Sequence, residues 1–312
     1  SIAISDDGSQ ICCIFTRNMI VASRDGEMIH TLKTSGDIAC VNKQITRYAS
    51  LDHFRGKLEI WDKAGNKINE FDTMKEIYLY RVALSGDSRY IVSSGHGKDN
   101  FGLSLWHIDG RLLDFVKLDR RHAHRPAFGM AKTENRLLSY IPPDSLQFWR
   151  IERDQLVRTT GYKLPEDDRK CQEIVMSKDG DVAFVVFGDE IELWSEDRGK
   201  IRSLLQPYDR VSSITISPDG NMVGVALGEF STKRCGFCTY TIDGKPGLEI
   251  NRMPLTYAGP GRYHGNLIAI DPKSRRIARS VKNRVFIYDL RGRLVSEFQV
   301  GDDEDENKIS AL

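Results

Sequence analysis

The sequence predicts an all-β fold, a seven-bladed β-propeller of four-stranded antiparallel blades. The first observation is a recurring strand in which two apolar residues at alternate positions precede an aromatic one, as in Ile191, Leu193 and Trp194. A polar turn ending in glycine follows, which is typical of a strand entering a hairpin. These anchor positions lie 39 to 48 residues apart, at Ala22, Trp61, Trp106, Trp149, Trp194, Tyr240 and Tyr288. One blade takes roughly 40 to 45 residues, so the anchors predict seven blades.

The second observation is an apolar strand closed by a tight polar turn, which precedes most anchors. It occurs as IAISDDG at 2–8, VALSGDS at 82–88, IVMSKDG at 174–180, ITISPDG at 214–220 and IAIDPKS at 268–274. Glycine accepts a positive φ there without a Cβ clash, and aspartate can bond the backbone two residues on. We interpret this strand as the first and innermost of each blade. The second and fourth units depart from the pattern at this point.

The other two strands of each unit follow from these landmarks. A short apolar strand lies between them, such as VAFVVF at 182–187, and a more charged fourth strand follows each anchor. Charge on an outermost strand protects it from edge-to-edge pairing. Four strands cannot bury both faces alone, so the blades must pack sideways around an axis. No segment keeps an apolar period of 3.6 residues, so helices should be few.

These assignments predict one domain over residues 1–300. The blades lie near 1–36, 37–75, 76–118, 119–164, 165–208, 209–252 and 253–300. Residues 301–312 comprise an acidic run from Asp302 to Glu306, followed either by one more innermost strand or by a frayed tail.

Composition excludes several broad classes of protein. Forty-five basic and 44 acidic residues give a net charge of +1, so no overall field favours nucleic acid or an acidic membrane surface. No leader-like start and no long apolar run support secretion or membrane spanning. Six cysteines, two of them adjacent at Cys12 and Cys13 in an apolar run, indicate buried thiols rather than a disulfide framework. We therefore expect a cytoplasmic protein without a nucleic-acid partner.

The four-strand unit, the SPDG turn at 217–220 and the aliphatic-x-aliphatic-Trp strand together resemble the WD-repeat β-propeller family, over nearly the whole chain. Only Trp61–Asp62 keeps the Trp-Asp pair of that family. The Gly-His pair is missing from the outer-to-inner crossover, because Gly95–His96 falls in another loop. The resemblance implies a propeller used for protein–protein interaction. The departures remove residues on which the family's buried hydrogen-bond network depends.

Five long connections are predicted on one face of the propeller. They are 95–102, 119–126, 161–170, 228–236 and 253–265. Each joins either a fourth strand to the next first strand or a second strand to a third, and both kinds of connection open on the same face. Loops carry function more often than the scaffold that holds them.

Two neighbouring loops are rich in cations, at Lys98, Arg120, Arg121 and Arg125. One interpretation is a docking patch for an acidic peptide or a phosphate, since arginine matches both groups bidentately. The other is a solvated charged loop, as most charge runs are. The longest loop holds Tyr257, Arg262, Tyr263 and His264, which have the composition of interface hot spots. The acidic run at 302–306 either shares this face or is disordered.

No cofactor or metal site is predicted. Cys235 and Cys238 form a lone Cys-x-x-Cys, but residues three apart on a strand point to opposite faces and no second pair exists. His122 and His124 lack a third ligand nearby. The glycines of the 95–102 loop lie between two strands, so they form no phosphate cradle of the strand-to-helix kind. The tryptophans occur once per blade, which indicates a structural role.

The residues thus favour a non-catalytic scaffold, or a sensor or docking propeller, within a larger protein or assembly. Its expected partners are other protein subunits or peptides, acidic ones among them. The alternative is an enzyme or small-ligand binder that uses the axial channel. That function needs ionisable residues on innermost strands, and those strands, such as VALS and IAID, offer little except Asp271. A third hypothesis, nucleic-acid binding through the basic loops, requires an affinity that falls steeply with salt.

Overall fold

A computed structural model provides the fold of this chain. It describes residues 2–5, 7–15, 18–25, 27–34, 38–42, 44–52, 55–73, 77–97, 101–118, 127–142, 144–165, 170–188, 190–204, 211–217, 219–228, 235–250, 267–271, 275–281 and 284–299. Throughout these ranges the regular elements are all strands. They form seven four-stranded antiparallel sheets, each built from four consecutive strands. This is the predicted blade architecture.

Two compact units make up the chain. One comprises Ser1–Lys33, Asp189–Ile191 and Ser203–Leu312, and the other comprises Thr34–Gly188 and Glu192–Arg202. The first unit contains the first, sixth and seventh blades. The second unit contains the second, third and fourth blades and most of the fifth.

The strands of the first unit's three blades run in sequence order across each sheet. They are β1 Ile2–Ile4, β2 Gln10–Phe15, β3 Asn18–Ser23 and β4 Met28–Lys33; β21 Val211–Ile216, β22 Met222–Gly228, β23 Cys235–Thr241 and β24 Pro246–Ile250; and β25 Leu267–Asp271, β26 Arg276–Val281, β27 Arg284–Asp289 and β28 Leu294–Gln299.

The remaining four blades follow the same order. They are β5 Ile38–Val41, β6 Arg47–Asp52, β7 Lys57–Asp62 and β8 Lys67–Asp72; β9 Ile77–Leu84, β10 Tyr90–Gly97, β11 Phe101–His107 and β12 Leu112–Leu118; β13 Ala127–Met130, β14 Arg136–Ile141, β15 Ser145–Glu152 and β16 Gln155–Lys163; and β17 Cys171–Met176, β18 Val182–Phe187, β19 Glu190–Ser195 and β20 Gly199–Leu204. All seven predicted anchors lie on third strands.

The core of each unit lies between adjoining blades. In the second unit, Leu138 and Phe148 of the fourth blade pack with Ile174 and Val185 of the fifth, and all four side chains are buried. In the first unit, side chains of the first and seventh blades form one buried cluster: Ile4, Ile11, Cys13, Ile20, Leu267, Ala269, Ala278, Val285 and Ile287. Blades at opposite ends of the sequence therefore pack directly on one another.

The innermost strands of neighbouring blades approach each other closely. Gly129 on β13 faces β17, and a Cβ atom at Gly129 would lie 2.5 Å from the carbonyl oxygen of Ile174. Real Cβ atoms do not approach an oxygen so closely, so only glycine permits this packing of the fourth blade on the fifth.

Each tryptophan anchor donates its indole N–H within its own blade. The acceptor is a serine hydroxyl of the second strand in three blades: Trp61 to Ser50 at 3.3 Å, Trp106 to Ser93 at 3.0 Å and Trp149 to Ser139 at 2.9 Å. In the fifth blade Trp194 donates instead to the Glu192 carboxylate at 2.9 Å. Asp62, which follows Trp61, accepts the backbone N–H groups of its own turn at Ala64 and Asn66. The tryptophan indoles are thus held by side chains of their own blades.

The turns between first and second strands are closed by a serine and an aspartate. The serine hydroxyl donates to the aspartate two residues on at 2.6 Å and accepts the N–H five residues on, at Ser5, Ser85, Ser177 and Ser217. Asp271 occupies the matching position in the seventh blade, where it pairs with Arg276 across the hairpin. The one ionisable residue predicted on an innermost strand is therefore the last residue of that strand, next to the turn.

We expect these turns to make the protein sensitive to acid. The Ser5 hydroxyl and the amide and hydroxyl of Ser9 hold the pKa of Asp7 down to about 2, and the Ser177 hydroxyl lowers the pKa of Asp179. Carboxylates with depressed pKa values stabilise the folded state above their unfolded pKa, near 4, and that stability is lost as pH falls through the folded value. We expect the urea midpoint to fall between about pH 4 and pH 2. An Asp7→Asn, Asp179→Asn variant should lose less over this window; a loss identical to that of the unchanged protein would contradict the explanation.

The outermost strands are more apolar at their surface than predicted. Every large hydrophobic side chain found exposed in the described ranges lies on a fourth strand: Met28, Ile29, Ile68, Leu112, Val157, Leu294 and Val295. On β8 the charged residues Lys67 and Glu70 flank the apolar Ile68, so charge interrupts the apolar surface of that strand.

Candidate interaction surface

The strands of each blade run between two ends, where the turns and loops lie. We call the end at which the first strand begins the first edge and the opposite end the second edge; neither term refers to an edge strand. In the second unit, the segments 119–126 and 164–170 cross first edges, whereas the second-edge connections, such as 85–89 and 177–181, have at most five residues. In the first unit, 229–234 and 251–266 cross first edges, and second-edge connections again have at most five residues. Within each unit the long connections are therefore confined to first edges, as predicted.

Two of the predicted loops are shorter than expected because strand pairing continues into them. Gly95 pairs with Gly102 and His96 pairs with Phe101, so the connection between β10 and β11 is reduced to 98–100. A Cβ atom at Gly102 would lie 2.2 Å from the Val116 carbonyl oxygen, so glycine lets three strands stay paired here. Gly161 likewise lies inside β16, which continues to Lys163.

The predicted binding residues lie outside the described residues. They are Lys98, Arg120, Arg121, Arg125, Tyr257, Arg262, Tyr263 and His264, together with His122, His124 and the acidic run at 302–306. The strands that flank them assign Lys98 to the β10–β11 connection, the three arginines to the β12–β13 connection and the second group to the β24–β25 connection. All three connections cross first edges. The roles of these residues stay predictions.

A buried arginine supports another first-edge connection of the first unit, the β22–β23 connection. Arg279 on β26 is fully buried, and its guanidinium donates to the carbonyl oxygens of Gly236 at 2.5 Å and Leu227 at 3.4 Å. Leu227 and Gly236 pair with each other at the end of the β22–β23 hairpin, where the segment 229–234 begins and ends. The seventh blade thereby fixes the base of a sixth-blade loop. Sequence reasoning missed Arg279, although an arginine in the interior of a second strand was a usable signal.

A second arginine lies among the innermost strands of the second unit. Arg81 on β9, the first strand of the third blade, donates to the carbonyl oxygen of Gln172 on β17, the first strand of the fifth blade, at 2.6 Å. The prediction that innermost strands carry little besides Asp271 was therefore wrong. It took the third-blade strand to begin at Val82, whereas β9 begins at Ile77.

The cysteines are placed for packing rather than for chemistry. Cys12, Cys13 and Cys238 are buried free thiols. Loss of hydration raises the pKa of Cys13 to about 12 and that of Cys238 to about 11, so neither is a nucleophilic thiolate near neutral pH. Cys235 begins β23 and Cys238 lies three residues on, pairing with Val225. Among the residues that the structure describes, no group of three His, Cys, Asp or Glu side chains could hold a metal ion.

Over the described ranges, no helix has the length and apolar character required to cross a membrane.

Solved structures similar to this chain share its fold at low sequence identity. A functionally unknown protein from Desulfotomaculum acetoxidans DSM 771 matches with a TM-score of 0.70 and 12% identity, over 95% of this chain and 96% of that one. Kluyveromyces lactis Hsv2 matches with a TM-score of 0.69 and 13% identity, over 96% and 98%. The β-propeller domain of Myceliophteria thermophila Cps50 (Swd1) matches with a TM-score of 0.64 and 15% identity, over 86% and 87%.

No protein-family model matches the chain, and no curated protein matches it. The structural matches carry fold and nothing finer at these identities. Together with the seven four-stranded antiparallel sheets, they confirm the predicted fold class. The chain is a seven-bladed β-propeller.

Proposed function

We propose that this protein is a non-catalytic propeller that docks segments of other proteins on the first edges of its blades. The observation that carries the proposal is the confinement of long connections to first edges within each unit. The second edges are closed by short turns in which serine and aspartate side chains bond the backbone. Binding residues concentrate on loops that a rigid scaffold positions.

The charge of the β12–β13 connection indicates what it docks. Arg120, Arg121 and Arg125 fall within eight residues of the connection between the third and fourth blades, and Lys98 belongs to the β10–β11 connection of the third blade. Arginine binds carboxylates through two parallel hydrogen bonds. An acidic peptide segment is therefore the partner we propose for this part of the surface. The segment with Tyr257, Arg262, Tyr263 and His264 supplies the aromatic and arginine composition of a second contact region.

The described ionisable groups support a structural rather than a catalytic use. The Glu192 carboxylate is held by Trp194 and Lys200, and Glu59 is held by Ser50 and Lys67. The cysteines whose side chains the structure describes are free and buried or partly buried, which suits the reducing cytoplasm, the compartment we propose. Fold alone selects no function, because propellers host many, so the proposal rests on the loops.

The test is a binding measurement with a labelled octaglutamate peptide as the acidic probe. We expect an Arg120→Ala, Arg121→Ala, Arg125→Ala variant to weaken binding by about tenfold or more, because it removes the three arginine forks. The matched control changes Lys63, Lys178 and Arg198 to Ala; these exposed second-edge residues remove the same charge. The control should stay within about twofold of the unchanged protein. Equal losses in both variants would show that only net charge matters and would overturn the docking site.

The second contact region is tested separately. An Arg262→Ala, Tyr263→Ala variant should lose proteins that co-purify with the unchanged protein and with the second-edge control. The proposal fails if both first-edge variants retain every partner that the unchanged protein captures.

A further inference from the structure

The innermost strands of the second unit hold a cation that crosses from one blade to another. Arg81 of the third blade bonds the Gln172 carbonyl oxygen of the fifth blade, past the first strand of the fourth blade, β13. The side chain is partly buried. A long side chain held in this position presents its guanidinium where the first strands of three consecutive blades come together.

Both strands that meet through Arg81 carry a β-bulge at this point. Ser94 pairs with Arg81 but Gly95 pairs with Leu79, which leaves Tyr80 as an extra residue on β9. Cys171 pairs with Phe187 but Glu173 pairs with Val186, which leaves Gln172 as an extra residue on β17. A bulge bends its strand and redirects neighbouring side chains, and bulges recur beside binding sites. Here the two bulges bring Arg81 and the Gln172 carbonyl together.

The charge of Arg81 is not neutralised within the described chain. Its hydrogen bond is to a neutral carbonyl oxygen, and no Asp or Glu of the described ranges forms an ion pair with it. A guanidinium has five N–H donors, so donors remain for a ligand. The Glu173 carboxylate, which follows Gln172, acts on the same Cys171 thiol as Arg81 and has an interaction of its own.

The surroundings strengthen the attraction that this charge exerts. Burial raises the pKa of the Cys171 thiol, and the nearby Arg81 charge opposes part of that rise. Arg81 and the Cys171 thiol are therefore close enough to interact electrostatically. A charge in a partly buried site attracts an anion more strongly than one on an open surface.

We propose that Arg81 is the centre of a binding site for a small oxyanion, a carboxylate or phosphate group, at the innermost strands of the third and fifth blades. Arginine matches both groups through paired N–H donors. The site lies on described strands and does not depend on the first-edge loops, so it is separate from the docking surface proposed above.

The test is calorimetric titration of the full chain with inorganic phosphate and, in a second arm, with citrate. We expect saturable binding of at least one probe, weakened by about tenfold or more in Arg81→Gln, the loss expected for a hydrogen bond to a charged group. Arg158→Gln, an exposed arginine of β16, makes the same change of charge and should bind within about twofold of the unchanged protein. The probe that binds with the higher affinity shows whether the site prefers a phosphate or a carboxylate group.

Two results would overturn the proposal. One is that neither probe binds saturably. The other is that Arg81→Gln binds the probe as tightly as the unchanged protein does, and loss of binding in the Arg120, Arg121, Arg125 triple variant would then place the anion at the docking loops. If Arg81→Gln does not fold, NMR of the unchanged protein decides. Titrated phosphate or citrate should shift the Nε–Hε resonance of Arg81, and an unmoved resonance would overturn the site.

Discussion

Replacing Lys200 by Met is expected to lower the free energy of unfolding by about 3 kcal/mol, measured by urea denaturation. Glu192 is fully buried on β19, and its carboxylate lies 2.5 Å from the Lys200 ammonium and 2.9 Å from the Trp194 indole nitrogen. Removing the cation leaves a buried negative charge without its ammonium. The expected loss is at the lower end of the range for buried pairs because the Lys200 side chain is 41% exposed.

The control is an ion pair of the same length at the surface. Lys57 and Glu70 lie 2.5 Å apart with side chains 40% and 31% exposed. Lys57→Met should lower the urea midpoint far less than Lys200→Met does, since solvent screens an exposed pair. Because the two ion pairs have the same length, the difference in their effects on stability reports the effect of burial.

A double variant tests whether the buried charge causes the loss. Glu192→Gln with Lys200→Met removes both charges, and the amide oxygen can still accept the Trp194 N–H. It should recover at least half of the stability lost in Lys200→Met. A double variant as unstable as Lys200→Met, or a Lys200→Met variant no worse than Lys57→Met, would contradict this assignment.

The buried Glu192 shows where sequence reasoning about this fold runs out. The anchors and the Ser-Asp turns predicted the blades because both features are local and repeat once per blade. Alternation along IELW suggests that the polar position faces water. In a propeller both faces of a blade are covered by its neighbours, so Glu192 is buried as well, and Val185 takes the place that serine holds in three other blades.

The candidate sites were predictable only in part, for a related reason. Loop lengths are visible in a sequence once the strands are placed, so the edge that carries the long connections could be predicted. Arg81 and Arg279 act on backbone carbonyl oxygens of other blades. Every residue has a backbone carbonyl oxygen, so the residue types do not show which one accepts a hydrogen bond. The bulges that bring Arg81 to Gln172 depend on pairing between strands, which the sequence does not show directly.

Changing Arg279 to Met should give the other large loss of stability, about 2–4 kcal/mol in urea denaturation. Arg279 is the largest fully buried side chain in the described ranges, and the methionine would leave the Gly236 and Leu227 carbonyl oxygens without their donor. A buried acceptor that loses its partner costs its full desolvation energy. Arg279→Lys should also be destabilising, because an ammonium cannot hold both oxygens in the geometry of a planar fork.

Arg284→Met provides the matched control in the same sheet. Arg284 on β27 is 28% exposed and pairs with Glu297, so its loss should cost no more than about 1 kcal/mol. The position of Arg279 at the base of the 229–234 connection adds a local readout. Amide hydrogen exchange at the ends of β22 and β23 should accelerate in Arg279→Met beyond the change at β3, because the guanidinium holds that hairpin end closed. Equal acceleration of exchange at β3 of the first blade and at the ends of β22 and β23 of the sixth blade would mean that Arg279 only stabilises the core and does not position the sixth-blade loop.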